Sequence, residues 1–206
     1  MDVELKNNAI SHITTQGATR IYKMESNYAT HMVTLSLKNN SYLEFIPEQI
    51  IPYKNSRFYQ KTNLDIDDSS TVVYSETIVP GRIAMGEMFD FDVCYLKTEG
   101  TLNQKIQFRD SSLLMPKSQK IQSLAMFDDK TILTSVYVLT KKHVTKINDL
   151  INEMFSNIQG ISGGSSILPN DSGVSIRILG NSSEDQKITI HQILKIIRKE
   201  ILPEYL

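Results

Sequence analysis

The chain has 206 residues and a mass of 23.4 kDa, with 40% hydrophobic and 22% charged residues, enough for one domain that buries roughly 70% of its unfolded surface. Its 22 Lys and Arg against 23 Asp and Glu leave a net charge of −1, so the surface as a whole has no electrostatic pull toward nucleic acid or anionic lipid. One cysteine, Cys94, excludes an intramolecular disulfide and a thiolate metal cage. The opening MDVELKNNAISHITT has neither a basic n-region nor an apolar h-region, and no apolar run approaches the ~18 residues of a membrane helix. The expectation is a soluble, cytoplasmic, single domain over 1–206, β-rich over 1–139 and helix–strand–helix over 140–206.

Val33, Leu35 and Leu37 alternate with Met32, Thr34 and Ser36. Phe58, Gln60, Thr62, Leu64 and Ile66 share one face of a second strand. Phe89, Phe91, Val93 and Tyr95 alternate with Asp90, Asp92 and Cys94 in a third, and Val136 and Val138 sit in the β-branched run TILTSVYVLT. Period-two alternation predicts half-buried antiparallel strands, stacked or coiled into sheets. Lys38-Asn39-Asn40, Asp67-Asp68-Ser69, Pro80-Gly81 and Glu99-Gly100 read as turns. No internal repeat stands out.

From His143 to Ile158, Val144, Ile147, Leu150, Ile151, Met154, Phe155 and Ile158 form a helical stripe that Gly160 stops. ISGGSSILPNDSG reads as a flexible connector, and GVSIRILG as a strand. A last helix starts at Ser183 as N-cap, with Gln186 completing a capping box. Its stripe is Ile190, Ile193, Leu194, Ile197 and Ile201, widened by Ile188 and Ile196, and Pro203 ends it. Either its own sheet or a partner must cover so broad an apolar face, and the surplus predicts a partner for solubility.

The motifs of common chemistries are absent. The four histidines are scattered, there is no G-x-x-x-x-G-K-[ST] and no G-x-S-x-G, and Cys94 has no neighbouring histidine in sequence. The isolated chain is therefore expected to show no hydrolase activity and no nucleotide affinity. Three segments stand out. Residues 13–22 place Thr14, Thr15, Gln16, Thr19 and Arg20 around Gly17, as an edge strand with a turn or as a polar lining. In residues 43–53, Pro47 and Pro52 stiffen the chain around Glu48 and Gln49, as a crossover between sheets or as a stiff arm presenting a carboxylate. Residues 81–87 hold Arg82 and Glu87 among small residues. Glu87 is either the ion-pair partner of Arg82 or a carboxylate available to a metal ion in transit.

Taken in order, ITTQGATRIYK at 13–23, LEFIPEQIIPY with SRF (Arg57) at 43–58, GRIAMGE with FDF at 81–91 and SIRILGNSSEDQ at 175–186 resemble the urease accessory protein UreD (UreH) family over nearly the whole chain. The resemblance implies a mainly β fold of stacked antiparallel or mixed sheets, β-helix-like, with two helices in the C-terminal region. It implies a metallochaperone scaffold for urease maturation, acting with UreF and the GTPase UreG on apo-urease. Nickel would be in transit rather than stably bound. Members carry further N-terminal strands, with a glycine-rich segment ending in Gly-Asp, before the TTQ motif. Met1 falls just short of it. Upstream codons are expected to encode those strands, the alternative being a member that lacks them, and the early sheet is expected to have an unpaired edge. Position 48 is Glu where many members have Gln.

On this reading Glu87, oriented by Arg82, and Glu48 are the transient metal contacts, weak enough to release the ion. Thr15, Gln16, Arg20, Arg57 and Arg82 line the channel or meet partners. Two other readings stand beside it: a β-rich interaction module without a metal role, and a hydrolase with Glu48 and Glu87 as acid and base.

Overall fold

The computed structural model describes residues 1–124 and 126–202. In chain order the strands and helices are β1 (Asp2–Leu5), β2 (Ile10–Ile13), β3 (Thr19–Ile21), β4 (Ala29–Leu37), β5 (Tyr42–Phe45), β6 (Ile50–Pro52), β7 (Arg57–Ile66) and β8 (Thr71–Ile78). There follow β9 (Val93–Leu102), β10 (Lys105–Leu114), β11 (Ile132–Leu139), α1 (Val144–Ser156), β12 (Ser162–Ile167), β13 (Gly173–Gly180) and α2 (Ser183–Ile201). Pro203, expected to end the last helix, lies outside the described residues. Among those residues no helix is long and apolar enough to cross a membrane.

The chain winds between two sheets. The first has the order β1-β4-β7-β9-β10, and the second β12-β13-β11-β8-β5-β2, with β3 and β6 paired at its side. Each return lays a strand parallel to its predecessor: Asp2 beside Thr34, Ala29 beside Phe58, Arg57 beside Val93 in the first sheet, and Ile10 beside Tyr42, Tyr42 beside Thr71 in the second. Antiparallel pairing begins only with β9–β10 and with β11 against β8 and β13. The expected antiparallel strands in the first part are thus mostly parallel. A solenoid coil gives the same alternation, because one face of the first sheet meets water and the other meets the core. β1 and β2 are the outermost strands at one end of the stack.

Asparagines turn the corners. Asn7, Asn8, Asn39 and Asn40 all have φ near +60°, which Asn tolerates better than other non-glycine residues. Their amides ladder from coil to coil, Asn39 Nδ2 to Asn7 Oδ1 at 3.0 Å and Asn40 Nδ2 to Asn8 Oδ1 at 3.0 Å. On the next corner Asp67 accepts the backbone N–H groups of Asn39, Ser69 and Ser70. Burial opposes the effect, yet these bonds hold its carboxyl down at about 2. The Asn-Asn pairs were the readable trace of a repeat that residue identity elsewhere conceals.

Between the sheets lie Val33, Leu35, Leu37, Leu43, Leu64 and Leu139, with an aromatic ladder Phe45–Tyr74–Tyr137–Phe108 whose neighbouring rings stand 5.9, 6.1 and 5.5 Å apart. The far face of the second sheet packs Val73, Val136, Val138, Ile176 and Ile178 under Ile147, Ile151, Ile193 and Ile197 of the helices. β8 and β11 are therefore buried on both faces rather than half-buried. Ile190, Ile193, Leu194, Ile197 and Ile201 are all buried by the protein's own sheet, leaving Ile188 exposed and Ile196 partly covered. The expected surplus of apolar helix surface is small.

Several local expectations shift. Phe89 takes φ +54°, breaking the alternation before β9 begins. Cys94 and Leu96 face inward and Val93 and Tyr95 outward, the reverse of the expected face. Gly100 lies inside β9 rather than in a turn, and a Cβ there would meet the Phe108 ring at 2.1 Å. Ser182, not Ser183, caps α2, its side chain accepting the Asp185 N–H at 3.2 Å. The expected flexible connector contains β12. Its backbone is pinned at Ser165, whose N–H donates to Asn152 Oδ1 at 2.9 Å and whose carbonyl accepts from Asn152 Nδ2 at 3.2 Å. Asn152→Ala should cost about 1–2 kcal/mol and speed hydrogen exchange at Ser165; unchanged exchange there would show that α1 does not hold this edge.

Candidate functional site

β8 reads TVVYSETI, and all eight residues are buried. Val72 and Tyr74 point between the sheets, and the same alternation carries the Glu76 carboxylate there, only 4% exposed. Glu76 Oε2 accepts from the Tyr74 hydroxyl at 3.1 Å and from Gln60 Nε2 at 3.3 Å. The Tyr74 hydroxyl in turn accepts from Gln60 Nε2 at 2.9 Å and from Thr62 Oγ1 at 3.1 Å. His31 Nδ1–H donates to Gln60 Oε1 at 3.0 Å. A polar chain thus runs from β4 through β7 to β8.

The seam continues across the second sheet. Glu76 is the register partner of Ser135, and Ser135 of Arg177. Arg177 pairs with Asp110 of β10, and Asp110 Oδ2 also accepts the Tyr137 hydroxyl at 2.7 Å. The guanidinium lies 5.2 Å from the centre of the Tyr137 ring. Thr98 Oγ1, buried in the same layer, has no protein partner. A polar layer therefore passes between two apolar ones, with Arg177 and Asp110 partly open at one side.

At the other side a 430 Å³ cavity is lined by Thr15, His31, Glu48, Gln60, Tyr74 and Glu76, among others. Burial pushes the Glu76 carboxyl up to about 7, against the pull of Tyr74, Arg177 and Gln60. Burial lowers the Arg177 guanidinium, and Glu76 partly restores it. The Cys94 thiol is pushed far up by burial and by Glu76, so it is inert as a nucleophile.

Glu48 is shared with a second pocket of 280 Å³, beside His12, Gln49 and His191. Thr15 Oγ1 accepts the Glu48 N–H at 2.9 Å, and the Glu48 carboxylate meets Lys187 at 2.8 Å. Behind this pocket, Glu44 is 1% exposed. Its burial is outweighed by bonds from Arg198, Tyr42 and His12, which hold its carboxyl below the ordinary value.

Thr15 and Glu48 thus meet at one cavity, while Gln16 and Arg20 are exposed beside it. Glu87 and Arg82 stand elsewhere, in a surface pocket with Tyr22, Tyr53 and Lys54. Glu87 Oε2 accepts Arg82 Nε at 2.8 Å and the Lys54 N–H at 3.1 Å, Oε1 takes Arg82 Nη2, and Arg82 lies 4.0 Å from the Tyr53 ring centre. Glu48 and Glu87 line different pockets, so they assemble no acid–base pair. Arg57 lies on the outer face of the first sheet, bonded to Asp92 at 2.9 Å. Among the described residues no three His, Cys, Asp or Glu side chains gather as a metal-holding group.

Sequence reasoning missed Glu76, His31, Asp110 and Arg177 as a group. The available signal was the one charged side chain, a carboxylate, inside the β-branched run TVVYSETI, which only a buried partner network tolerates.

A family model described as UreD urease accessory protein matches residues 1–205. A protein of Cenarchaeum symbiosum named urease accessory protein UreD is 35% identical over 201 residues, 97% of this chain and 70% of its own length. One of Brucella suis named urease accessory protein UreD 2 is 34% identical, covering 99% of this chain and 70% of its own length. One of Yersinia enterocolitica is 34% identical, covering 98% of this chain and 65% of its own length.

Proposed function

The chain belongs to the UreD family of urease accessory proteins, and on that premise we propose that it serves urease maturation as a non-enzymatic scaffold and metallochaperone. It acts in the cytoplasm in a complex with UreF and the GTPase UreG on apo-urease. Nickel is its cargo, not a resident cofactor.

The observation that supports this reading best is the seam at Glu76. A buried carboxylate costs stability, and an interaction module gains nothing from placing one between its sheets. A route for a cation needs such a group. Oxygen and imidazole donors met singly suit a borderline ion that must leave again. Glu48 stands at the mouth of that route, with Thr15 holding its backbone, and Glu76 stands inside. Glu87 would have to release Arg82 before it met an ion.

In nickel-supplied cells carrying urease genes, deletion of this chain should reduce urea hydrolysis to near background, and re-expression should restore it. Equal hydrolysis with and without the chain would overturn the reading. Equilibrium dialysis of the purified protein should show no tight GTP binding, since the GTPase partner supplies nucleotide chemistry.

A further inference from the structure

The outer face of the first sheet is free of the helices, which cover only the second. Parallel register fixes what that face presents, because equivalent positions of β7 and β9 become neighbours. Tyr59 lies beside Tyr95 and Lys61 beside Lys97. The tyrosine rings stand 5.4 Å apart. With Tyr28, 62% exposed, and Arg57, they bound a largely apolar pocket of 350 Å³. Like charges at directly paired positions destabilise a sheet, yet the two lysines are neighbours. Among the described residues neither makes an ion pair, while the nearby Arg57 and Arg109 are matched by Asp92 and Glu99. Glu99, ion-paired to Arg109, also feels the charge of both lysines, so Lys61, Lys97 and Arg109 outnumber the Asp65 and Glu99 carboxylates on this face, two residues, roughly 7 Å, along the strands from an aromatic pocket.

We propose that this face docks an extended acidic segment of a partner protein, seating an aromatic side chain among Tyr28, Tyr59 and Tyr95 and its carboxylates over Lys61 and Lys97. Charge complementarity selects the occupant. Tyrosine and arginine beside an apolar pocket are the residues that anchor protein interfaces. A nucleic acid is disfavoured, since Asp65 and Glu99 share the face and the chain carries a net charge of −1. The proposal goes beyond the maturation reading and does not depend on nickel passage.

The test is binding of the full chain to a fluorescent random copolymer of glutamate and tyrosine, against poly-glutamate and the oligonucleotide dT20. The copolymer should bind more tightly than either. K61E/K97E should weaken it at least tenfold, and Y95A should remove the advantage over poly-glutamate. K195E/K199E, an equal charge change on exposed lysines of α2, should lose far less. If K61E/K97E alters the circular dichroism spectrum, K61Q/K97Q replaces it, with a loss of at least threefold. No copolymer binding, equal losses in the two lysine pairs, or tighter binding of dT20 would each overturn the proposal. Deletion of the gene tests the maturation reading separately, so either can fail alone.

Discussion

Between pH 4.5 and pH 8, the stability of a Glu76→Gln variant relative to the parent protein should rise by about 3 kcal/mol. The carboxyl titrates at about 7 in the folded protein against an ordinary 4.5, because burial disfavours its charge. Between those values the folded state holds a proton that the unfolded chain has released. An acid with a raised folded value contributes stability below the unfolded pKa and loses it as pH rises through the folded one. The parent protein therefore weakens from about pH 4.5 to 7 through this group, and the amide does not. Urea unfolding of both proteins at several pH values reads the difference directly and cancels the titration of Glu44 and Asp67, which both share. A difference that stays flat across the range would mean that Glu76 is not buried as described.

Gly173→Ala should cost about 4 kcal/mol, combining backbone strain and overpacking. Gly173 opens β13 with φ +145°, and a Cβ there would stand 1.8 Å from the Val138 carbonyl oxygen. That oxygen belongs to the central strand β11, buried on both faces, so it has no room to retreat. Gly160 provides the comparison: its φ is +81°, but nothing lies within 4 Å of an added Cβ. Gly160→Ala should cost only the left-handed backbone, about 1 kcal/mol. Equal thermal midpoints for the two variants would contradict the packing described at the β11–β13 edge.

Side-chain periodicity made the inner faces of β4 and β7 legible, because Val33, Leu35 and Leu37, and Phe58 through Ile66, are buried at every second position. The stripe of α1 was legible for the same reason. Strand direction was not, since alternation is identical for a parallel coil and an antiparallel hairpin. The face of β9 was misread because Phe89 and Phe91 precede the strand, and a left-handed residue between two segments resets their phase. β12, Ser and Gly up to its last residue Ile167, has no apolar alternation. Its pairing is fixed by Asn148 and Asn152 of a helix that precedes it. The family motifs pointed to Glu48 and Thr15, which do share a cavity. Glu76 stayed hidden because its partners Gln60 and Arg177 come from different coils, and nothing local in sequence joins them.

The nickel content of urease matured with the parent chain or with Glu76→Gln, at matched chain levels, tests the seam as a route most directly. Urea unfolding of both chains at the same neutral pH accompanies the measurement, so that a fall in nickel is read against their relative stability. With the variant, urease should form in normal amount but carry several-fold less nickel, with urea hydrolysis reduced in proportion. Urease with the parent's full nickel content and activity would contradict it.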